Sequence, residues 1–215
     1  MMTQTIQHHL TDALLMAYSA GTLPEAFSLV VASHVSLCDD CRARLGSFDA
    51  IGGNMIDSDD AAALADDSFE ATLRRIAAGA PAEPPRRPSG VFPAPLQDYV
   101  AGDLADVRWR SIGLGVRQAP LPTARDASAR LLYIPAGAAV PDHGHRGSEL
   151  TLVLQGAFRD EGGRYGPGDV EIADERLEHQ PVAEPGEACI CLAATDAPLR
   201  FRALLPRLAQ PFIRI

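Results

Sequence analysis

Two groups of residues in this 215-residue chain have the types and spacing of metal ligands. The first is His34-x3-Cys38-x2-Cys41. On a helix or just past its end, positions i, i+4 and i+7 share a face, so the imidazole and both thiols can converge on one ion. Zinc is tetrahedral and takes imidazole and thiolate together, which leaves one ligand to find. His9, just before the first expected helix, is the leading candidate, and its neighbour His8 is the alternative. A CxxC by itself also fits a redox pair or two unrelated thiols; the helically placed histidine and the distant spare histidine favour zinc. The second group is Gly137-x5-His143-x-His145-x3-Glu149-x6-Gly156. His143, His145 and Glu149 stand at even offsets, so in extended structure all three project to one side. A fourth ligand is available at His179, within Gly168-x5-Asp174-x4-His179. Three imidazoles and a carboxylate suit zinc, manganese, iron or nickel without selecting among them. The plainer alternative is a histidine cluster that holds no metal.

The elements that must position these groups divide in two. Prolines 81, 84, 85, 88, 93 and 95 fall within residues 79–95, a density that neither a helix nor a central strand sustains. That segment reads as a semi-extended linker between residues 1–78 and residues 96–215. Before it, helical signals dominate. Thr11-Asp12 caps a run that stops at Gly21, and Pro24 opens a second run through Cys38. A third run starts at Asp39-Asp40 and continues past Phe48 toward Ile51. A fourth is expected from about Asp59 to Ala78, with Leu64, Phe69, Leu73 and Ile76 as a sparse apolar stripe. A helical unit this small, with so few large apolar side chains, is marginal without a staple, which is a further reason to expect a metal.

After the linker, short alternating runs with Gly and Pro punctuation predict strands at 107–113, 116–121, 130–135, 149–156, 169–173, 188–196 and 199–205. The fold class expected is α+β in two domains: an all-α zinc-binding four-helix unit and an all-β double-sheet roll. Trp109 reads as core. Cys189-x-Cys191 puts two thiols on one side of a strand, where small buried hydrophobes are commoner than a redox switch.

Composition removes several function classes. No apolar run reaches the ~18–20 residues that span a bilayer, and MMTQTIQHHL has neither part of a secretory signal. The net charge of −9 disfavours direct binding to duplex DNA. Residues 1–78 hold four arginines against eleven acids, so the helical part carries most of the imbalance. Asp57, Asp59, Asp60, Asp66 and Asp67 read equally well as a solvated face or as a complement to a basic partner. Four cysteines in a chain without a signal point to a reducing, cytoplasmic setting, where metal chemistry is favoured over disulfides.

Residues 137–156 match every specified position of the first cupin motif, G-x5-H-x-H-x3-E-x6-G. The second motif keeps Gly168 and His179, while Asp174, Arg176 and Ala183 replace its usual Pro, Gly and Asn. The C-terminal part therefore resembles a cupin barrel. The whole chain resembles the ChrR-type zinc anti-sigma factors, which join a helical H-x3-C-x2-C domain to a cupin. The resemblance runs most strongly through residues 8–46, 140–161 and 191–201. It implies a non-enzymatic regulator that holds a sigma factor of RNA polymerase in a 1:1 complex, with release under oxidative signals such as singlet oxygen. It implies zinc on His9, His34, Cys38 and Cys41, and a second divalent metal on His143, His145, Glu149 and His179. A cupin of this kind could also take a small ligand. The alternatives are a metal-dependent cupin enzyme such as a dioxygenase, and a CxxC oxidoreductase, which lacks the expected βαβ context.

Overall fold

A computed structural model describes residues 5–59, 62–79 and 90–201. The expectations for Asp60, for the linker at 80–89 and for a strand beyond 201 lie outside those residues. Four helices precede the linker. α1 (Asp12–Ser19) is capped by the Thr11 hydroxyl, which accepts from the Leu14 N–H at 3.3 Å. α2 (Glu25–Leu37) follows Pro24, and α3 (Asp39–Asp57) starts at once after it. Cys38 ends one helix and caps the next, its sulfur accepting from the Cys41 N–H at 3.4 Å. α3 passes the expected stop near Ile51, because Gly52 and Gly53 weaken a helix without breaking it.

α4 spans only Ser68–Ala78 and does not begin at Asp59 as the spacing predicts. Ser58 already closes α3, and residues 62–65 have no regular structure. Aspartate and serine compete with helix through local backbone bonds and favour helix ends; Asp67 takes the N-cap position of α4 without a side-chain cap bond. A fifth helix, α5 (Ala94–Val100), lies partly in the segment predicted to be extended. Pro93 caps it and Pro95 sits in its first turn, where a missing N–H costs nothing.

The strands are β1 (Arg110–Gly113), β2 (Val116–Pro120), β3 (Ser128–Ile134), β4 (His143–Gly144), β5 (Glu149–Gln155) and β6 (Phe158–Asp160). They continue as β7 (Gly163–Tyr165), β8 (Val170–Ala173), β9 (Glu178–His179), β10 (Val182–Ala183), β11 (Cys189–Thr195) and β12 (Arg200–Phe201). The strand expected at 107 starts at 110, after a 3-10 turn over Leu104–Asp106 that Asp103 caps. A six-stranded antiparallel sheet runs β1-β2-β3-β11-β5-β8, and two three-stranded sheets, β10-β6-β7 and β12-β4-β9, complete the roll.

The central strands are buried on both faces. Leu150, Leu152, Leu131, Ile190 and Leu192 join one core with Phe27, Leu29, Val30 and Val31 of α2. The alternate residues Val153, Ile134, Cys189 and Cys191 join Phe158 and Tyr165 in a second core inside the roll. This is why the β5 and β11 sequences, ELTLVLQ and CICLAAT, read as nearly continuous apolar runs. It also explains α2, whose buried residues lie all round the helix: one side meets the other helices and the opposite side covers the sheet.

Candidate metal centres

At the helical end, His9, His34, Cys38 and Cys41 each bring one ligand atom within 4.8 Å of the others. His9 Nδ1 lies 3.3 Å from Cys38 Sγ and 3.7 Å from Cys41 Sγ. Nitrogen and sulfur at about 2.0 and 2.3 Å from a tetrahedral ion stand about 3.5 Å apart, so the spacing fits such an ion. Chain direction selects His9 over His8. In extended backbone neighbours face opposite ways: His8 turns to the roll, with Nε2 3.1 Å from the Arg164 carbonyl and its ring 4.3 Å from Tyr165.

The tautomer of His34 follows from its partner. Its Nδ1 is 2.8 Å from the Gly168 carbonyl, which can only accept, so the proton is on Nδ1 and the lone pair on Nε2. That Nε2 is buried without a hydrogen-bond partner among the described residues, the state expected of a ligand atom. Burial pushes His34 down to about 4, so the ring is neutral at pH 7. Burial also pushes the Cys41 thiol up, with the adjacent Cys38 adding to the effect. The N-terminus of α3 and the Arg44 guanidinium, 3.9 Å from Cys41 Sγ, favour thiolate. The donor set fits zinc: two sulfurs that need a cation, and two imidazoles beside them.

Inside the roll, β4 and β9 pair with His143 opposite His179. His179 Nε2 lies 3.2 Å from His143 Nε2 and 3.4 Å from His145 Nε2. Nitrogens about 2.05 Å from a tetrahedral ion are about 3.3 Å apart, so the three imidazoles fit a common ion. Glu149 stands beside this group rather than within it: its Oε2 is 3.5 Å from His145 Nδ1, and its Oε1 accepts from the Thr151 hydroxyl at 3.1 Å. Burial opposes ionisation of Glu149, but His145, His143 and Thr151 outweigh it and hold the carboxyl below its usual range.

Two acids absent from the sequence-based candidates complete the centre. The His179 Nδ1–H faces Asp160 Oδ2 at 2.7 Å and Glu171 Oε1 at 3.1 Å, which fixes the ring with Nε2 inward. Burial raises Glu171 to about 7. Burial lowers His179, yet its bonds to Glu171 and Asp160 carry it to about 9. Glu171 did leave a sequence signal: it is an acid at an inward-facing position of the apolar strand VEIA. Asp160 left none, because it ends a short hairpin strand, where an acid is ordinary.

Above these groups lies a cavity of about 430 Å³. Ile112, Val116, Leu132, Ile134, Phe158 and Leu199 form its apolar wall, with His143, Glu149, His179 and Glu171 among its polar lining. Arg130, buried in the same wall, donates to the Gln118 side-chain oxygen at 3.1 Å and to the Ser128 hydroxyl at 3.1 Å. The Cys189 and Cys191 sulfurs are 3.5 Å apart and buried, and the bond to Cys189, then burial, pushes the Cys191 thiol well up. Both side chains pack into the core inside the roll. Trp109 is half-buried and meets Tyr133 edge-on at 5.9 Å.

Residues 97–198 match the ChrR cupin-like domain family. Over 215 residues the chain is 63% identical to the anti-sigma-E factor ChrR of Cereibacter sphaeroides, spanning 98% of this chain and 100% of that one. The chain belongs to the ChrR family of anti-sigma factors. A crystal structure of Rhodobacter sphaeroides SigE in complex with the anti-sigma ChrR matches at a TM-score of 0.80 and 60% identity, covering 89% of this chain and 100% of that chain.

Two helices of this ChrR-family chain carry large exposed apolar side chains. Ile51, Met55 and Ile56 at the end of α3, and Phe69, Leu73 and Ile76 on α4, are all exposed. α4 buries no residue at all. Its three apolar side chains stand at i, i+4 and i+7, so they form one face. Among the described residues no helix is long and apolar enough to cross a membrane, so this face is not part of a helical span.

Proposed function

We propose that this chain is an anti-sigma factor that binds and inhibits a sigma factor of RNA polymerase, in a 1:1 complex that depends on zinc. The observation that carries the reading is the near-full-length 63% identity to anti-sigma-E factor ChrR. The exposed apolar face of α4 and the exposed apolar residues at the end of α3 support it. An 11-residue helix that buries none of its residues among those described is marginal in water, so a partner would help to hold α4. The acidic helical part adds attraction toward a basic protein surface and would speed encounter with it.

In this reading zinc rests on His9, His34, Cys38 and Cys41 and staples residues 1–78, a unit joined by the linker 79–95 to the cupin domain 96–215. Structural zinc in small domains supplies about 10–16 kcal/mol, enough to hold a core this small. A second divalent ion, zinc or one of manganese, iron and nickel, rests on His143, His145 and His179 with Glu149 beside them. When bound, that ion would offer an open coordination position to a small molecule in the cavity. The cupin domain would sense oxidative conditions, singlet oxygen among them, and loosen the complex. The setting is cytoplasmic, where RNA polymerase and free thiols both reside. Its similarity to a named regulator favours this function over a cupin dioxygenase.

The test is gel filtration of the chain co-expressed with a candidate sigma factor, with zinc assayed in each peak. A 1:1 peak that contains zinc and disappears with Cys38→Ser/Cys41→Ser supports the reading. A zinc-loaded chain that binds no sigma factor overturns it.

A further inference from the structure

One stretch of the cupin part, residues 166–170 at the start of β8, holds His34 directly and the two residues before His9. The His34 Nδ1–H donates to the Gly168 carbonyl at 2.8 Å, in fully buried surroundings. Asp169 Oδ1 accepts from the Gln7 and His8 N–H groups at 2.7 and 2.9 Å, and the Val170 N–H donates to the His8 carbonyl at 3.2 Å. These bonds fix the residues immediately before His9. Asp169 Oδ2 accepts from the Gly166 N–H at 2.8 Å, which holds the turn in shape. Gly168 has a φ of +90°, and Ile6 packs where its side chain would be: a Cβ there would stand 2.6 Å from Ile6 Cδ1. The turn is pinned to β5 as well, through the Gly168 N–H to Val153 carbonyl bond and its return from the Val153 N–H to the Asp169 carbonyl, at 2.8 and 3.0 Å.

We propose that Gly168 and Asp169, on the cupin side, are positioning residues of the helical zinc site and tighten its hold on the metal. This rests on reading His9, His34, Cys38 and Cys41 as zinc ligands. A ligating imidazole needs its other nitrogen held by an acceptor, which sets both its tautomer and its aim. For His34 that acceptor is a cupin carbonyl, 134 residues away in sequence. For His9 the equivalent constraint is the backbone clamp that the Asp169 carboxylate applies one and two residues earlier.

The experiment uses the full zinc-loaded chain and measures, by competition with a chromophoric chelator, how tightly the Cys38–Cys41 site holds zinc. Reactivity of the two thiols is followed in parallel. Asp169→Asn removes the carboxylate clamp, Gln7→Pro removes one donor from the helical side only, and Glu161→Gln, exposed on the β6–β7 hairpin, is the control. Zinc binding about 10-fold or more weaker in the first two variants is expected, with faster thiol modification and unchanged cupin metal. Loss of the His34 pattern of protonated Nδ1 and metallated Nε2, read from long-range proton–nitrogen NMR, separates repositioning from general destabilisation. If Asp169→Asn does not fold, Gln7→Pro decides. Wild-type zinc affinity and thiol reactivity in the clamp variants overturn the proposal. A wild-type chain with no zinc at Cys38 and Cys41 overturns the metal reading, and the proposal with it.

Discussion

Truncating the apolar face of α4 separates binding from folding. Phe69, Leu73 and Ile76 are 70%, 48% and 70% exposed, and α4 buries nothing. Replacing all three by alanine keeps helix propensity high and removes no core contact. The unbound chain should therefore keep its thermal midpoint and its zinc. Full burial of such a side chain is worth about 1.5–3 kcal/mol. Counting only the fraction now exposed leaves about 1–2 kcal/mol for each, or roughly 3–6 kcal/mol for the face if the partner covers it. That corresponds to about 10²–10⁴-fold in the dissociation constant. The assay is titration calorimetry against the partner sigma factor, with thermal unfolding of the free chain beside it. Affinity within threefold of wild type refutes the assignment of α4 to the interface. A fall in affinity matched by an equal loss of stability in the free chain also refutes it, because α4 would then belong to the core. Deleting residues 57–78 should lower affinity further while leaving zinc content intact.

Other outcomes follow from the same geometry. His34→Ala and Cys38→Ser should lose zinc and sigma inhibition together, measured by metal analysis and in vitro transcription; a zinc-free variant that still inhibits breaks the link. Cys189→Ser with Cys191→Ser should keep a normal oxidant response while destabilising the fold, since each buried hydroxyl without a partner costs about 1–3 kcal/mol; an abolished response would assign the pair a redox role. Glu25 on α2 accepts from the Tyr99 hydroxyl at 2.7 Å and the Ala124 N–H at 2.6 Å, and these bonds hold its carboxyl below the usual 4.5. A lowered carboxylate contributes above its unfolded value and loses that contribution as pH falls through the folded one. Glu25→Gln should therefore flatten the acid limb of stability below about pH 5, read by thermal unfolding across pH; an unchanged limb would show the contact contributes nothing.

Local chemistry was legible from the chain alone. The helix cap at Thr11, the helix start at Asp39, the i, i+4, i+7 spacing of His34, Cys38 and Cys41, and the even offsets of His143, His145 and Glu149 depend on backbone periodicity, which short sequence carries. The same is true of the main strands, whose bounds shifted by one to three residues. Partnership across the fold was not legible. Nothing in the sequence says that α2 covers the β3–β11–β5 face, although its all-round apolar character demands two neighbours. The choice between His8 and His9 turned on which side of an extended segment meets the cupin turn. Asp160 and Glu171 became partners of His179 only when three separate strands closed the roll. Periodicity tells each residue which way it faces, and tertiary packing decides what it meets there. Sequence could therefore nominate candidate ligands, while the groups that meet those side chains, Gly168, Asp169, Asp160 and Glu171, required the fold.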